Sequence, residues 1–194
     1  MIVDTYFPTS IGRESYKDHQ NEKDDLVNYC YEIQKNRESG GSGWLSNETY
    51  NTSDGKFDVV DDIKFRKINN FVSKSVANYL VRTGLKMKLY MSDAWFNIYK
   101  KNNYQEFHQH SGCIVSCIYF LKIPTPEKVY FKSPYKEMLF SSKYTGDYNP
   151  SDWVHYVPDE SNLLVFRSYV EHAVELHKSD EDRITIAYNF KELI

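Results

Sequence analysis

Three histidine residues have the side-chain chemistry and spacing of a transition-metal site. His108 and His110 are separated by one residue in a segment predicted to be extended, so their imidazoles lie on the same face. His172 closes a second apolar segment further along the chain. Iron(II), zinc and copper accept imidazole nitrogen, and three protein ligands leave positions open for small molecules. The His-x-His pair alone is weak evidence, because such pairs are more often solvated strand edges.

A basic residue and a hydroxyl follow the third histidine and could bind a carboxylate. Arg183 and Thr185 share one face if the segment around them is a strand. A guanidinium can hold a carboxylate through two parallel hydrogen bonds, and the hydroxyl is a further donor. The alternative is a surface ion pair between Arg183 and an acidic side chain at 180–182, which would contribute little. The histidines upstream favour the carboxylate-binding interpretation.

The elements that must position these side chains change from helical to strand-like along the chain. Residues 1–20 are predicted to contain a short strand and a polar loop, and amphipathic helices follow at 21–38 and 61–82. Gly84 ends the second helix. Many short strands come after it, which is typical of a sandwich or barrel. They are predicted at 86–91, 95–100, 104–110, 114–123, 129–131, 138–140, 154–157, 162–166, 172–175 and 183–189.

Length, charge and cysteine content limit the possible functions. The 194 residues suffice for one domain with a substantial core. A net charge of −3 gives no broad basic surface, so we expect no nucleic-acid partner. No apolar run reaches the roughly 18 residues of a membrane span, and the N-terminus lacks a signal-peptide pattern. Cys30, Cys113 and Cys117 form no disulfide framework, so we expect a cytoplasmic protein, and we expect Cys113 and Cys117 to be inert thiols buried in strands.

The order of the candidate site residues resembles that of the iron(II)- and 2-oxoglutarate-dependent oxygenases. That superfamily has a His-x-Asp/Glu pair, a distal histidine, and a basic residue followed two positions later by Ser or Thr. Within it, the chain is most similar to a set of oxygenases from phages and marine bacteria. The similarity spans about residues 43 to 190 and includes Gly43-Trp-Leu-Ser46, Trp95-Phe-Asn-Ile-Tyr99, His108-Gln-His110, Ser116-Cys-Ile-Tyr-Phe-Leu121, Phe166-Arg-Ser-Tyr-Val-Glu-His172 and Arg183-Ile-Thr185.

This resemblance implies a fold and an activity. The fold is α+β, a double-stranded β-helix (jelly-roll) core with N-terminal helices packed against it. Residues 1–194 would form a single oxygenase domain, with 1–85 as mainly helical support and 86–194 as the jelly-roll core. The activity is a hydroxylase-type oxidation of a small-molecule or peptide substrate, in the cytoplasm of the host if a phage encodes the chain. Neither the substrate nor the oligomeric state is predicted.

The resemblance also implies the cofactors and the residues that bind them. Iron(II) would be bound by His108, His110 and His172. The distal carboxylate of 2-oxoglutarate would meet Arg183, with help from Thr185 and from Tyr99 or Tyr119. Asn97 and Tyr99 would line the same cavity.

One departure from the family pattern leaves the ligand set open. His110 stands where the superfamily has its acidic ligand. Either three histidines bind the metal, or His108 and His172 bind it with a water molecule while His110 supports them from outside. Glu106, on the strand face shared by the His-x-His pair, is a weaker candidate for a third ligand.

Two other classes of function compete with the oxygenase that uses 2-oxoglutarate. One is a three-His cupin-type dioxygenase that would not need Arg183, and the other is a non-catalytic, phage-associated structural protein with a jelly-roll fold. Loops determine substrate choice in this architecture. The segment 132–153, which contains Tyr135, Tyr144, Asp147 and Tyr148, is the predicted lid.

Overall fold

Two helices precede most of the strands in the computed structural model, which describes residues 9–41, 45, 48–134 and 152–193. Helix α1 spans His19–Asn36, and α2 spans Arg66–Thr83 after a 3-10 turn at Ile63–Phe65. Gly84 ends α2 in the left-handed region at φ 71°, where its N–H donates to the last carbonyls of the helix. The apolar side chains on the buried face of α2 recur at helical spacing: Ile68, Val72, Val76, Tyr79 and Leu80.

The described strands form two antiparallel sheets. The larger has the order β1-β8-β5-β10-β3-β2, and the smaller has the order β4-β9-β6-β7. The strands are β1 (Ile11–Ser15), β2 (Tyr50–Asn51), β3 (Leu89–Tyr99), β4 (Gln105–His108), β5 (Val115–Lys122), β6 (Val129–Lys132), β7 (Trp153–Tyr156), β8 (Asn162–Arg167), β9 (His172–Val174) and β10 (Arg183–Glu192).

Each face of the larger sheet packs against a different layer. One face joins the helices in the main hydrophobic core, which includes Phe96, Ile186 and Val72. The other face meets the smaller sheet in a second core, where Phe120 and Phe166 pack with Phe131. The result is a jelly-roll sandwich with helices on one side, which confirms the predicted α+β class and its jelly-roll core.

Alternation along β10 places the site residues between the two sheets. Ile184, Ile186, Tyr188 and Phe190 face the helical core. The intervening side chains therefore face the space between the sheets. These are Arg183, Thr185, Ala187 and Asn189.

The structure changes several predicted elements. The strands expected at 86–91 and 95–100 are one strand, β3, whose pairing with β10 shifts where Asn189 and Phe190 face Asp93 and Met91. The extra residue, Ser92, is a β-bulge that interrupts the apolar alternation without ending the strand. The prediction also missed β2, which has only two residues. The strand expected at 138–140 lies outside the described residues. Among the described residues, no helix combines the length and the apolar character needed to cross a membrane.

Candidate metal centre and carboxylate site

The structure brings the three histidines together at the edge of the smaller sheet. His108 ends β4 and His172 begins β9, and the two are direct partners in the antiparallel register. His110 follows β4 by two residues, and its backbone N–H donates to the carbonyl of Ser168. One nitrogen from each imidazole lies within 4.8 Å of the others, as expected for ligands of a single metal ion.

Hydrogen bonds determine which nitrogen each ring offers. Nδ1 of His108 donates to the Glu106 carbonyl at 2.8 Å, and Nδ1 of His172 donates to the Val170 carbonyl at 3.1 Å. Carbonyl oxygens only accept, so Nδ1 carries the hydrogen in both rings and the lone pair of the neutral ring is on Nε2. Backbone carbonyls commonly orient metal-binding histidines in this way.

His110 has the same tautomer through a side-chain partner, Asn189. Its Nδ1 lies 2.5 Å from Asn189 Oδ1. The orientation of the Asn189 amide is fixed, because its Nδ2 donates to Asp93 at 2.8 Å while Oδ1 also accepts from Ser116. Oδ1 is therefore an acceptor, Nδ1 of His110 is a donor, and Nε2 carries the lone pair.

Burial keeps these imidazoles neutral. Desolvation lowers the pKa of His108 to about 4 and lowers the pKa of His172 well below its ordinary value. Desolvation also lowers the pKa of His110, against the opposing effect of its bond to Asn189. Neutral imidazole is the form that binds a metal, so near neutral pH the centre needs no deprotonation before binding.

A narrow pocket leads from the histidines along the inner face of the larger sheet. Asn97 and Tyr99 on β3 line it together with Thr185 on β10. Asn97 Nδ2 lies 3.5 Å from Thr185 Oγ1. The remaining wall is formed by Trp95, Gln105, Ile118, Val174 and Ala187.

Arg183 lies at the inner end of β10 and has unused hydrogen-bonding capacity. Its side chain is 2% exposed, and its guanidinium lies 4.3 Å from the centre of the Tyr99 ring. Nε and Nη2 of Arg183 have no hydrogen-bond partner among the described residues. A buried guanidinium with two unpartnered donors on one edge suits a bidentate carboxylate. The surface-pair alternative for Arg183 is therefore wrong.

Tyr119 does not belong to this pocket. It pairs with Ile186 on β10 and therefore faces the helices, where its hydroxyl lies 2.7 Å from Nδ1 of His19. The prediction for Tyr119 used the wrong phase of the strand, because Ser116, Ile118 and Phe120 are the side chains of β5 that face the smaller sheet.

The sequence interpretation overlooked the groups that support the site. Asn189 holds His110, and Asp93 and Ser116 hold Asn189 in turn. Asn189 lies on the face of β10 that also carries Arg183 and Thr185. The alternation that links those two residues could therefore have identified Asn189 from the sequence.

Glu106 is not in the candidate metal group. Its carboxylate accepts from the N–H of Leu45, and its backbone carbonyl orients His108. The predicted lid residues Tyr135, Tyr144, Asp147 and Tyr148 lie outside the described residues.

A comparison with protein families shows to which family this chain belongs. A family model described as "Putative 2OG-Fe(II) oxygenase" matches residues 93–189, half of the chain. The chain belongs to this family. The match includes all three histidines together with Arg183 and Thr185. The protein is therefore an oxygenase whose cofactors are iron(II) and 2-oxoglutarate, and the three-His group fits the metal.

Solved structures of the same fold are similar over nearly the whole chain. A prolyl-4-hydroxylase from Pseudomonas putida aligns with a TM-score of 0.66 at 10% identity, covering 96% of this chain and 94% of that one. The viral collagen prolyl hydroxylase from Paramecium Bursaria Chlorella virus-1 aligns at 0.57 with 14% identity and coverages of 95% and 96%. HygX from Streptomyces hygroscopicus, solved with nickel and 2-oxoglutarate bound, aligns at 0.64 with 9% identity and coverages of 94% and 83%. No curated protein matches the sequence.

Proposed function

We propose that this oxygenase binds iron(II) through Nε2 of His108, His110 and His172 and grips 2-oxoglutarate through Arg183 and Thr185. The single observation that carries the proposal is the convergence of three imidazoles whose Nδ1 atoms all donate to oxygen acceptors. That arrangement leaves the lone pair of each neutral ring on Nε2, and the three rings are close enough together to bind one ion. His110 then takes the place of the acidic ligand instead of supporting the site from outside.

The charge of the proposed centre differs from that of a His₂-carboxylate site. Three neutral imidazoles leave the full charge of iron(II) uncompensated by the protein ligands. Asp93 is the nearest carboxylate in the hydrogen-bonded chain, and it acts on His110 only through Asn189. We therefore expect the charge of bound 2-oxoglutarate to contribute more to metal retention than it would beside a carboxylate ligand.

The proposed position of 2-oxoglutarate follows the inner face of β10. Its 2-oxo acid end would meet the metal, and its distal carboxylate would meet Nε and Nη2 of Arg183, with Thr185 as a further donor. Asn97 and Tyr99 would shape the walls of the pocket. When bound, iron and 2-oxoglutarate would supply the oxidation of a substrate C–H bond to C–OH by dioxygen, with one oxygen atom going to the substrate and the other to succinate as carbon dioxide leaves 2-oxoglutarate. The protein positions the reactants and excludes water.

We propose a small-molecule or peptide substrate and a hydroxylase-type reaction. Support comes from similar folds, which include prolyl hydroxylases and a HygX structure that holds hygromycin B. The free thiols of Cys30, Cys113 and Cys117 support a cytoplasmic location, where reducing conditions keep thiols unpaired. We also propose that residues 1–194 form one oxygenase domain, because the helices share a core with the larger sheet.

Separate variants test the metal and the carboxylate assignments. His172→Ala should abolish iron binding, measured as bound iron after anaerobic reconstitution, because it removes one of three ligands. His155→Ala is the matched control, since His155 is an exposed histidine on β7. Arg183→Met should retain iron but weaken 2-oxoglutarate binding by at least about tenfold, whereas the exposed Arg13→Met should change neither. Unchanged 2-oxoglutarate affinity in Arg183→Met would show that the carboxylate assignment is wrong.

A further inference from the structure

A buried carboxylate lies directly behind the proposed carboxylate-binding arginine. Glu127, in the loop between β5 and β6, is 4% exposed. Its Oε2 lies 3.5 Å from Nη1 of Arg183, which is the distance of an ion pair and longer than a strong hydrogen bond. Glu127 therefore contacts Nη1 of Arg183, while Nε and Nη2 remain without partners among the described residues.

The other oxygen of this carboxylate is held by three donors. Oε1 of Glu127 accepts from the hydroxyl of Thr125, from Nδ1 of His177 at 3.0 Å and from the N–H of Lys178 at 3.1 Å. Burial disfavours ionisation of Glu127, but these hydrogen bonds and the charge of Arg183 together lower its pKa. The carboxylate is thus ionised and fixed in one orientation.

His177 is fully buried and is bonded to an acceptor at each ring nitrogen. Nδ1 meets the Glu127 carboxylate, and Nε2 meets the backbone carbonyl of Glu181 at 2.7 Å. Backbone hydrogen bonds to Asn102 and Asn103 hold the same residue in place.

Glu127 and Arg183 form a buried ion pair that engages only part of the guanidinium. Both side chains are at most 4% exposed. Buried donors without acceptors are costly, so the remaining edge of the guanidinium favours an anion. The unpartnered donors of Arg183 are the groups that such an anion would meet.

We propose that Glu127 is a positioning residue for Arg183, is itself held by His177, and makes the pocket selective for 2-oxo acids that carry a second, distal carboxylate. The inference rests on the proposed function of Arg183. Without Glu127, the long arginine side chain would lose the buried contact that holds its guanidinium, and ordering it would cost conformational entropy on binding.

The test compares two ligands that differ in the distal carboxylate. Nickel-loaded protein is titrated calorimetrically with 2-oxoglutarate and with pyruvate, which keeps the 2-oxo acid end but has no distal carboxylate. Glu127→Gln should weaken 2-oxoglutarate binding by about tenfold or more while changing pyruvate binding by less than about twofold. Glu127→Asp should recover part of the lost affinity. Glu181→Gln is the matched control, because the Glu181 side chain is exposed and only its backbone carbonyl contacts His177.

The outcomes separate this inference from the function on which it rests. Wild-type affinity for 2-oxoglutarate in Glu127→Gln, or equal losses for both ligands, overturns the positioning role. If Glu127→Gln does not fold, Glu127→Asp is measured in its place. A ratio of 2-oxoglutarate affinity to pyruvate affinity that is the same in Glu127→Asp as in the wild type overturns the proposal. Absence of metal-dependent 2-oxoglutarate binding in the wild type overturns the proposed function and this inference with it. Loss of binding in Arg183→Met but not in Glu127→Gln overturns this inference alone.

Discussion

Asn189→Ala tests whether the support of His110 matters to the metal. The substitution removes the acceptor of the His110 Nδ1 hydrogen and leaves the Ser116 hydroxyl and the Asp93 carboxylate without their Asn189 partner. Loss of an outer hydrogen-bond partner of a metal ligand typically lowers affinity by about 10- to 100-fold, or about 1.4 to 2.8 kcal/mol. We expect a loss in that range, because the His110 backbone remains fixed by Ser168.

The substitution should also destabilise the metal-free protein. Ser116 keeps its hydrogen bond to Ser168, and Asp93 keeps its hydrogen bond from Ser92, so the Nδ1 hydrogen of His110 is the group that loses its acceptor. One buried group left unpaired costs about 1 to 3 kcal/mol, and we expect a loss of stability in that range. Asn69→Ala is the matched control, because Asn69 is a buried asparagine that donates to the Val59 and Val60 carbonyls away from the histidines. It should lose stability and keep its metal affinity.

The assay is a calorimetric titration of metal-free protein with nickel(II), together with urea unfolding of the same samples. If Asn189→Ala binds nickel within twofold of the wild type, the reasoning that makes His110 a ligand through its Asn189-fixed tautomer is refuted. The same conclusion follows if Asn69→Ala loses as much affinity as Asn189→Ala, because the effect would then reflect general destabilisation.

Three further predictions concern the core, the metal and a helix end. Tyr119→Phe should lower the free energy of unfolding by about 1 to 2 kcal/mol, because it removes the hydrogen bond to buried His19. It should leave 2-oxoglutarate affinity unchanged, and a loss of affinity would show that Tyr119 belongs to the site. Nickel at 100 times its dissociation constant should stabilise the wild type by about 2.7 kcal/mol, seen as a higher unfolding midpoint, and should not stabilise His108→Ala. Gly84→Ala should destabilise the fold by about 1 kcal/mol in urea unfolding because φ is 71°, and an unchanged midpoint would contradict the role of this turn.

The sequence predicted the parts of the site that depend on local periodicity. The spacing of His108 and His110 predicts a shared face, although β4 ends at His108, and the spacing of Arg183 and Thr185 predicts a shared face on β10. Tyr119 was misplaced because alternation gives two possible faces for a strand, and β5 is apolar on both. Local spacing identifies neighbours on one strand but does not say which face meets the second sheet.

Contacts between distant loops were beyond the sequence argument. His177 lies five residues after His172, and that spacing does not identify its hydrogen-bond partner. Its actual partner, Glu127, is 50 residues away, in the loop before β6. The pairing of β6 with β9 brings the two loops together. Because that pairing forms only in the assembled sheet, local spacing in the sequence does not predict the contact.

A crystal structure of the anaerobic complex with iron(II) and 2-oxoglutarate tests the central claim most directly. We predict one iron ion bonded to Nε2 of His108, His110 and His172, chelated by the 2-oxo acid, with the distal carboxylate on Nε and Nη2 of Arg183. A water molecule between iron and His110, or a distal carboxylate away from Arg183, would contradict the account.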